Sequence, residues 1–224
     1  MSMQSRTGSS LARRGLARRT RSLGHLLAVV AAGVITSGVV GGALGQETGE
    51  GIRWDASRPL RWSDFQGAVD PNAGPRAAAL TAASLSLGAE LEVRRGRRCE
   101  YEITSIETSA QFHPQHSWVL ERARTDAVLQ HEQGHFDLTD VFRAVLEREA
   151  GRLVGAARTC RSDDDMTAIE AEVGELVAEL RERIFAELDE VQRRYDAQTG
   201  HGTLPDMQSA WSERIRRALS RGAW

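Results

Sequence analysis

Across residues 52–112 the apolar positions come in short pieces, too irregular for a helical stripe. Ile52-Arg53-Trp54 and Leu60-Arg61-Trp62 are split by the turn-prone Ser57-Arg58-Pro59, and Asp70-Pro71-Asn72-Ala73-Gly74-Pro75 reads as a loop. Residues 80–93 alternate loosely, with Leu85, Leu87, Leu91 and Val93 as the apolar set. Gly96, within 94–98, marks a hairpin tip. Tyr101 and Ile103 open a second strand, with a bulge before Ile106. Together these pieces predict a small mixed or antiparallel sheet.

Beyond Pro114 the period changes. Val128, Leu129, Leu138, Val141, Phe142, Val145, Leu146 and Leu153 recur at helical spacing. They predict a helix over residues 117–153, capped by Ser117 or Asp126. A polar break at 159–164 precedes a longer helix, whose stripe runs through Met166, Ile169, Val173, Leu176, Val177, Leu180, Ile184, Leu188, Val191 and Tyr195. Asp163, Asp164 and Asp165 stand at its start, where the helix dipole favours negative charge. Residues 196–203 read as a glycine-containing loop, and 205–219 as a short final helix containing Trp211. The expected fold is α+β: a small N-terminal mixed or antiparallel sheet, an active-site helix, a long packing helix and a short C-terminal helix.

The first 45 residues carry a different pattern. Six arginines and no acid precede or flank an apolar run over 26–43, and Ala43-Leu44-Gly45 resembles a small-x-small cleavage site. The run is longer than a usual signal core and near the lower limit for a bilayer span. Its glycines (Gly33, Gly38, Gly41, Gly42) favour a cleaved signal over a retained anchor. The division is therefore 1–45 signal peptide or N-terminal membrane anchor, 46–51 linker, and 52–220 a single domain. The expected location is exported: periplasmic or secreted, or anchored to the inner membrane if the segment is retained.

Charge sharpens this. The rest of the chain holds 23 basic against 31 acidic residues. An acidic body argues against nucleic acid as a partner, and against a membrane contact other than through residues 1–45. Nothing in the pattern sets an oligomeric state. In an oxidising compartment the only two cysteines, Cys99 and Cys160, are expected to form a disulfide.

The candidate chemistry lies on the first helix, at His131-Glu132-Gln133-Gly134-His135. At about 100° per residue the two imidazoles leave one face about 40° apart, one turn from each other. That spacing suits two nitrogen ligands of one Zn²⁺. Glu132, beside the first ligand, can reach an attacking water and serve as general base. A catalytic zinc wants a third protein ligand. The same wheel turns Asp137 and Asp140 away, and Glu149 lies about 21 Å along the axis, so this ligand must come from another element.

HEQGHFDL at 131–138, YDAQTGHG at 195–202, and the later Gln208 and Trp211 resemble a family of bacterial secreted proteins. Trp54-Asp55, the segment 60–65 and Ser117-Trp118 resemble it too. That family was first catalogued as a domain of unknown function and is described as zinc-dependent proteases of the HExxH (zincin) clan. The resemblance implies a zincin-like fold, a Zn²⁺ cofactor and a peptide or protein substrate. His201, in a glycine-flanked loop of the shared segment, is the expected third ligand. Glu170 and Glu187, bordering the long helix's stripe, are the rivals. Tyr195 is expected to stabilise the oxyanion, or else to end the apolar stripe, and Asp196 to orient a ligand imidazole. By analogy with zincins, residues 101–108 are the candidate edge beside the cleft. His113 and His116 could line that cleft. Two other readings stand beside this one: a cell-envelope binding or structural protein with a structural zinc, and a membrane-anchored interaction module.

Overall fold

The computed structural model describes residues 34–36, 51–73, 77–95, 98–161 and 166–224. The rest of the expected signal or anchor, most of the 46–51 linker, and the acidic run 163–165 lie outside the described residues. Among the described residues, no helix is long and apolar enough to cross a membrane.

The architecture is mixed α+β. A long hairpin dominates the sheet: β4 (Ala83–Arg95) pairs antiparallel with β5 (Cys99–Phe112). Three short strands lie along it. β1 (Val34–Thr36) runs parallel to β4, while β2 (Ile52–Arg53) and β7 (Arg158–Cys160) pair with opposite ends of β5. A separate two-stranded piece joins β3 (Ala79–Leu80) to β6 (Trp118–Val119).

The hairpin register explains its one irregularity. Glu90 pairs with Ser105 but Leu91 pairs with Ile103, so Thr104 is an extra residue on β5. Side chains alternate with period two, so this bulge switches the parity of the inward set. Ala110 and Phe112 face inward on one side of it, Tyr101 and Ile103 on the other, and all four are buried. The expected bulge before Ile106 falls here.

Helix α1 (Asp126–Gly151) crosses the sheet. Its start is later than expected. Thr125 is the cap, accepting from the Val128 backbone N–H at 3.3 Å. The expected cap Ser117 is committed elsewhere: its hydroxyl accepts from Ala82 N–H and donates to the His113 carbonyl. Trp118 and Val119, read as helical, instead supply β6. Leu138, Val141, Phe142, Val145 and Leu146 form the buried stripe of α1, in one core with Leu85, Leu87, Leu91 and Ile103 of the hairpin.

The 34-residue helix α2 (Met166–Thr199) and α3 (Pro205–Arg221) close the other side of α1, through Ile169, Val173, Ile184, Leu188, Trp211 and Ile215. A smaller cluster of Leu60, Phe65, Phe112, Val119 and Phe136 packs beside the start of α1. Cys99 and Cys160 face each other across β5 and β7 and are bonded.

Candidate metal centre

The site lies where the first turns of α1 meet the last turns of α2. His131 and His135 share one face of α1, as the four-residue spacing requires. The surprise is α2, which continues as helix to Thr199. Asp196 therefore sits one turn from a helix end, not in a loop, and points across at both imidazoles. Its Oδ1 is 3.1 Å from His131 Nε2 and 2.9 Å from His135 Nε2, while the two Nε2 atoms are 3.2 Å apart.

Three ligand atoms at such separations suit a small cation. A tetrahedral Zn²⁺ with bonds of about 2.05 Å has ligand atoms about 3.3 Å apart, and imidazole and carboxylate are ordinary zinc donors. His131, His135 and Asp196 are the metal-capable group found among the described residues. His131 is buried, whereas His135 and Asp196 keep part of their surface open, at 17% and 24% side-chain exposure.

Without a cation, the group is held by charge. Burial favours a neutral His135, but the hydrogen bond and charge of Asp196, the charge of Glu132 and the Gln192 side chain outweigh it, raising the ring to about 9. Burial likewise acts against an ionised Asp196. The hydrogen bonds and charges of His131 and His135 overcome it, and the carboxyl stays well below the usual carboxylate range.

The expected third ligand, His201, stands outside this group. Its side chain is 61% exposed, its Nδ1 is 3.5 Å from Asp196 Oδ1, and its ring centre is 6.4 Å from that of His131. The side chain expected behind the ligands, Asp196, takes the inner place. The reason is local: the helix carries Asp196 inward, and the chain then turns away through Gly200, His201 and Gly202, all at positive φ. Gly202 makes the turn possible, because a β-carbon there would come 2.9 Å from His131 Cβ. Glu170 and Glu187 are not brought to the site. They lie about 39 Å and 14 Å from Asp196 along α2.

Tyr195 also departs from expectation. Its ring stacks on His131, with centroids 4.6 Å apart, and its hydroxyl is buried, donating to the His131 carbonyl and accepting from Gln208. Burial, the largest influence, pushes its phenol far above the ordinary value. A hydroxyl so placed supports the helix and does not face a substrate, so the apolar-stripe reading of Tyr195 is the one the geometry follows.

Glu132, which lies between the two histidines in sequence, is buried, and its Oε2 accepts from the Thr81 hydroxyl at 2.8 Å. Thr81 joins β3 to β4, so this is the strand segment beside the site. The expected edge, 101–108, is not: Thr108 accepts from Arg143, which lies eight residues, about 12 Å, beyond His135 along α1. His113 pairs with Ser84 at 2.7 Å and stays outside the group. Sequence reasoning missed Thr81 and Gln192 altogether. It noted Gln208 without a role. A lone threonine or glutamine carries no spacing signature.

Fold and site thus define a mixed α+β protein with two histidines and an aspartate converging between its helices. The family described as "Bacterial protein of unknown function (DUF922)" matches residues 61–202, more than half of the chain, and the chain belongs to that family. No curated protein and no solved structure matches it. The matched stretch includes every residue of the group, and stops short of Gln208.

Proposed function

We propose that the protein is a zinc-dependent hydrolase that cleaves peptide bonds outside the cytoplasm. The observation that carries this reading is the convergence of His131, His135 and Asp196, with the Glu132 carboxylate held beside them by Thr81. Zinc bound by those three residues supplies a Lewis acid for the substrate carbonyl and acidifies an attacking water. Glu132 leaves the ligation to its neighbours. With Oε2 fixed on Thr81, its Oε1 is the atom that takes the water proton and returns it to the leaving amine. The partial exposure of His135 and Asp196 leaves one side of the group open to a substrate. The backbone of 79–81, tied to Glu132 through Thr81, is the segment against which an extended peptide would lie. The arginine-rich, then apolar, N-terminal segment supports export.

The test pairs zinc content with turnover. The full chain is loaded with zinc and incubated with a mixed peptide library, beside Glu132→Gln. The native protein should cut, and the variant should keep its zinc and lose cutting by a factor of about 10² or more. Full activity in the variant sinks the mechanism. Zinc bound by a native protein that cuts nothing favours a structural metal instead.

A further inference from the structure

Each metal-facing histidine has a glutamine on the far side of its ring, and both glutamines do the same thing. Gln192 reaches the His135 carbonyl at 3.0 Å with one amide atom and His135 Nδ1 at 2.5 Å with the other. A backbone carbonyl only accepts, so the atom facing it is the amide nitrogen. The atom facing the ring is then Oε1, which only accepts, so His135 carries a proton on Nδ1. Its Nε2 faces Asp196 Oδ1 at 2.9 Å, and when Zn²⁺ takes the place of the proton there, Nε2 offers the metal a lone pair.

His131 reaches the same result by a longer route. The Tyr195 hydroxyl has one proton and gives it to the His131 carbonyl at 3.1 Å. It must therefore accept from Gln208, whose Nε2 is 2.7 Å away. Gln208 Oε1 then faces His131 Nδ1, at 3.2 Å. Thr199 agrees independently: its hydroxyl proton goes to the Tyr195 carbonyl at 2.7 Å, so it offers only a lone pair to His131 Nδ1 at 3.4 Å. Gln208 is itself buried, at 4% exposure, in the core beside Trp211.

We propose that Gln192 and Gln208 are positioning residues that fix both imidazoles in the Nδ1–H tautomer, each reading the orientation of its amide from the backbone carbonyl of the histidine it serves. The inference rests on the metal reading above. It gives α2 and α3 a role beyond packing: α2 carries one ligand and one positioning glutamine, and α3 carries the other.

The chain has only six histidines, so long-range ¹H–¹⁵N spectra of histidine-labelled full-length protein can assign the proton on each ring. With zinc bound, His131 and His135 should both show Nδ1–H and metal-bound Nε2. Gln192→Leu should weaken zinc binding about 10- to 100-fold, measured by chelator competition. Gln192→Glu, which keeps an acceptor for Nδ1–H but loses the donor to the His135 carbonyl, should recover part of that loss. Gln208→Leu is measured alongside, with its melting curve, because its site is buried. Unchanged zinc affinity in a folded Gln192→Leu, or metal on Nδ1 in the native protein, overturns the proposal. If the native protein takes up no zinc, the metal reading fails instead. The glutamines are then judged on the metal-free spectra, where a ring with no proton on Nδ1 would overturn them, and Nδ1–H lost in the leucine variant would support them.

Discussion

Gly134 and Tyr195 compete for one volume: a β-carbon on Gly134 would stand 2.2 Å from the Tyr195 hydroxyl oxygen. The missing side chain lets α2 approach α1 closely enough for the tyrosine to lie along His131. Gly134→Ala should therefore destabilise the protein by about 1–3 kcal/mol, as overpacking does. Alanine is the better helix former by about 1 kcal/mol, so on propensity alone the melting temperature would rise. A melting curve followed by circular dichroism separates the two, and a rise would disprove the close contact.

The ligand set makes a sharp comparison. Asp196→Ala should abolish stoichiometric zinc binding, measured by plasma mass spectrometry on the full chain. His201→Ala should keep it, since that ring is 61% exposed, lies 3.5 Å from Asp196 Oδ1 and stands outside the group of three. Retention in the first variant and loss in the second would reverse the assignment and restore His201 as a ligand.

Stability of the metal-free protein should depend on pH through this group. His135 is raised from 6.5 to about 9. Its contribution is complete below about pH 6.5 and disappears as pH rises through about 9. At about 1.36 kcal/mol per unit, the loss is on the order of 3 kcal/mol. Asp196, whose carboxyl is depressed, contributes above about pH 4, and that part is lost on further acidification. Thermal unfolding in a chelator should show the decline between pH 6.5 and 9, and His135→Gln should flatten it. A melting temperature that climbs across that window would contradict the arrangement.

The disulfide closes a separation of 61 residues. On the chain-entropy account its removal should cost about 4 kcal/mol. Cys99→Ala with Cys160→Ala, unfolded in urea, should show a lower midpoint than the native chain. An unchanged midpoint would mean that the β5–β7 pairing alone carries this corner.

What was legible in the sequence was whatever repeats. The α1 stripe, the hairpin alternation and the His-x₃-His spacing are periodic, and the structure contains all three. The errors fell where a tertiary partner overrides local pattern. Trp118 and Val119 fall inside the helix expected from Ser117 onward, but they pair with Leu80 and Ala79. The end of α2 was hidden because Asp196 and Gly200 look like loop residues. Yet Leu188, Val191, Tyr195 and Thr199 continue one buried face. The polar character of Thr199 helped to hide the last turn, and with it the inward direction of Asp196. Gln208 had no role legible in the sequence and Gln192 left no sign there, since their meaning depends on carbonyls brought near by folding.

The hairpin sets a distance with a consequence of its own. Phe112, at one end of β5, packs on Phe136 beside the histidines, and Cys99 forms the disulfide at the other end. Thirteen residues of strand separate them, roughly 40 Å. On the zinc reading, the two cross-links of this chain act at opposite poles and share no side chain. Oxidation of the thiols and capture of the metal then influence each other only through the stability of the fold as a whole, and not through a local contact.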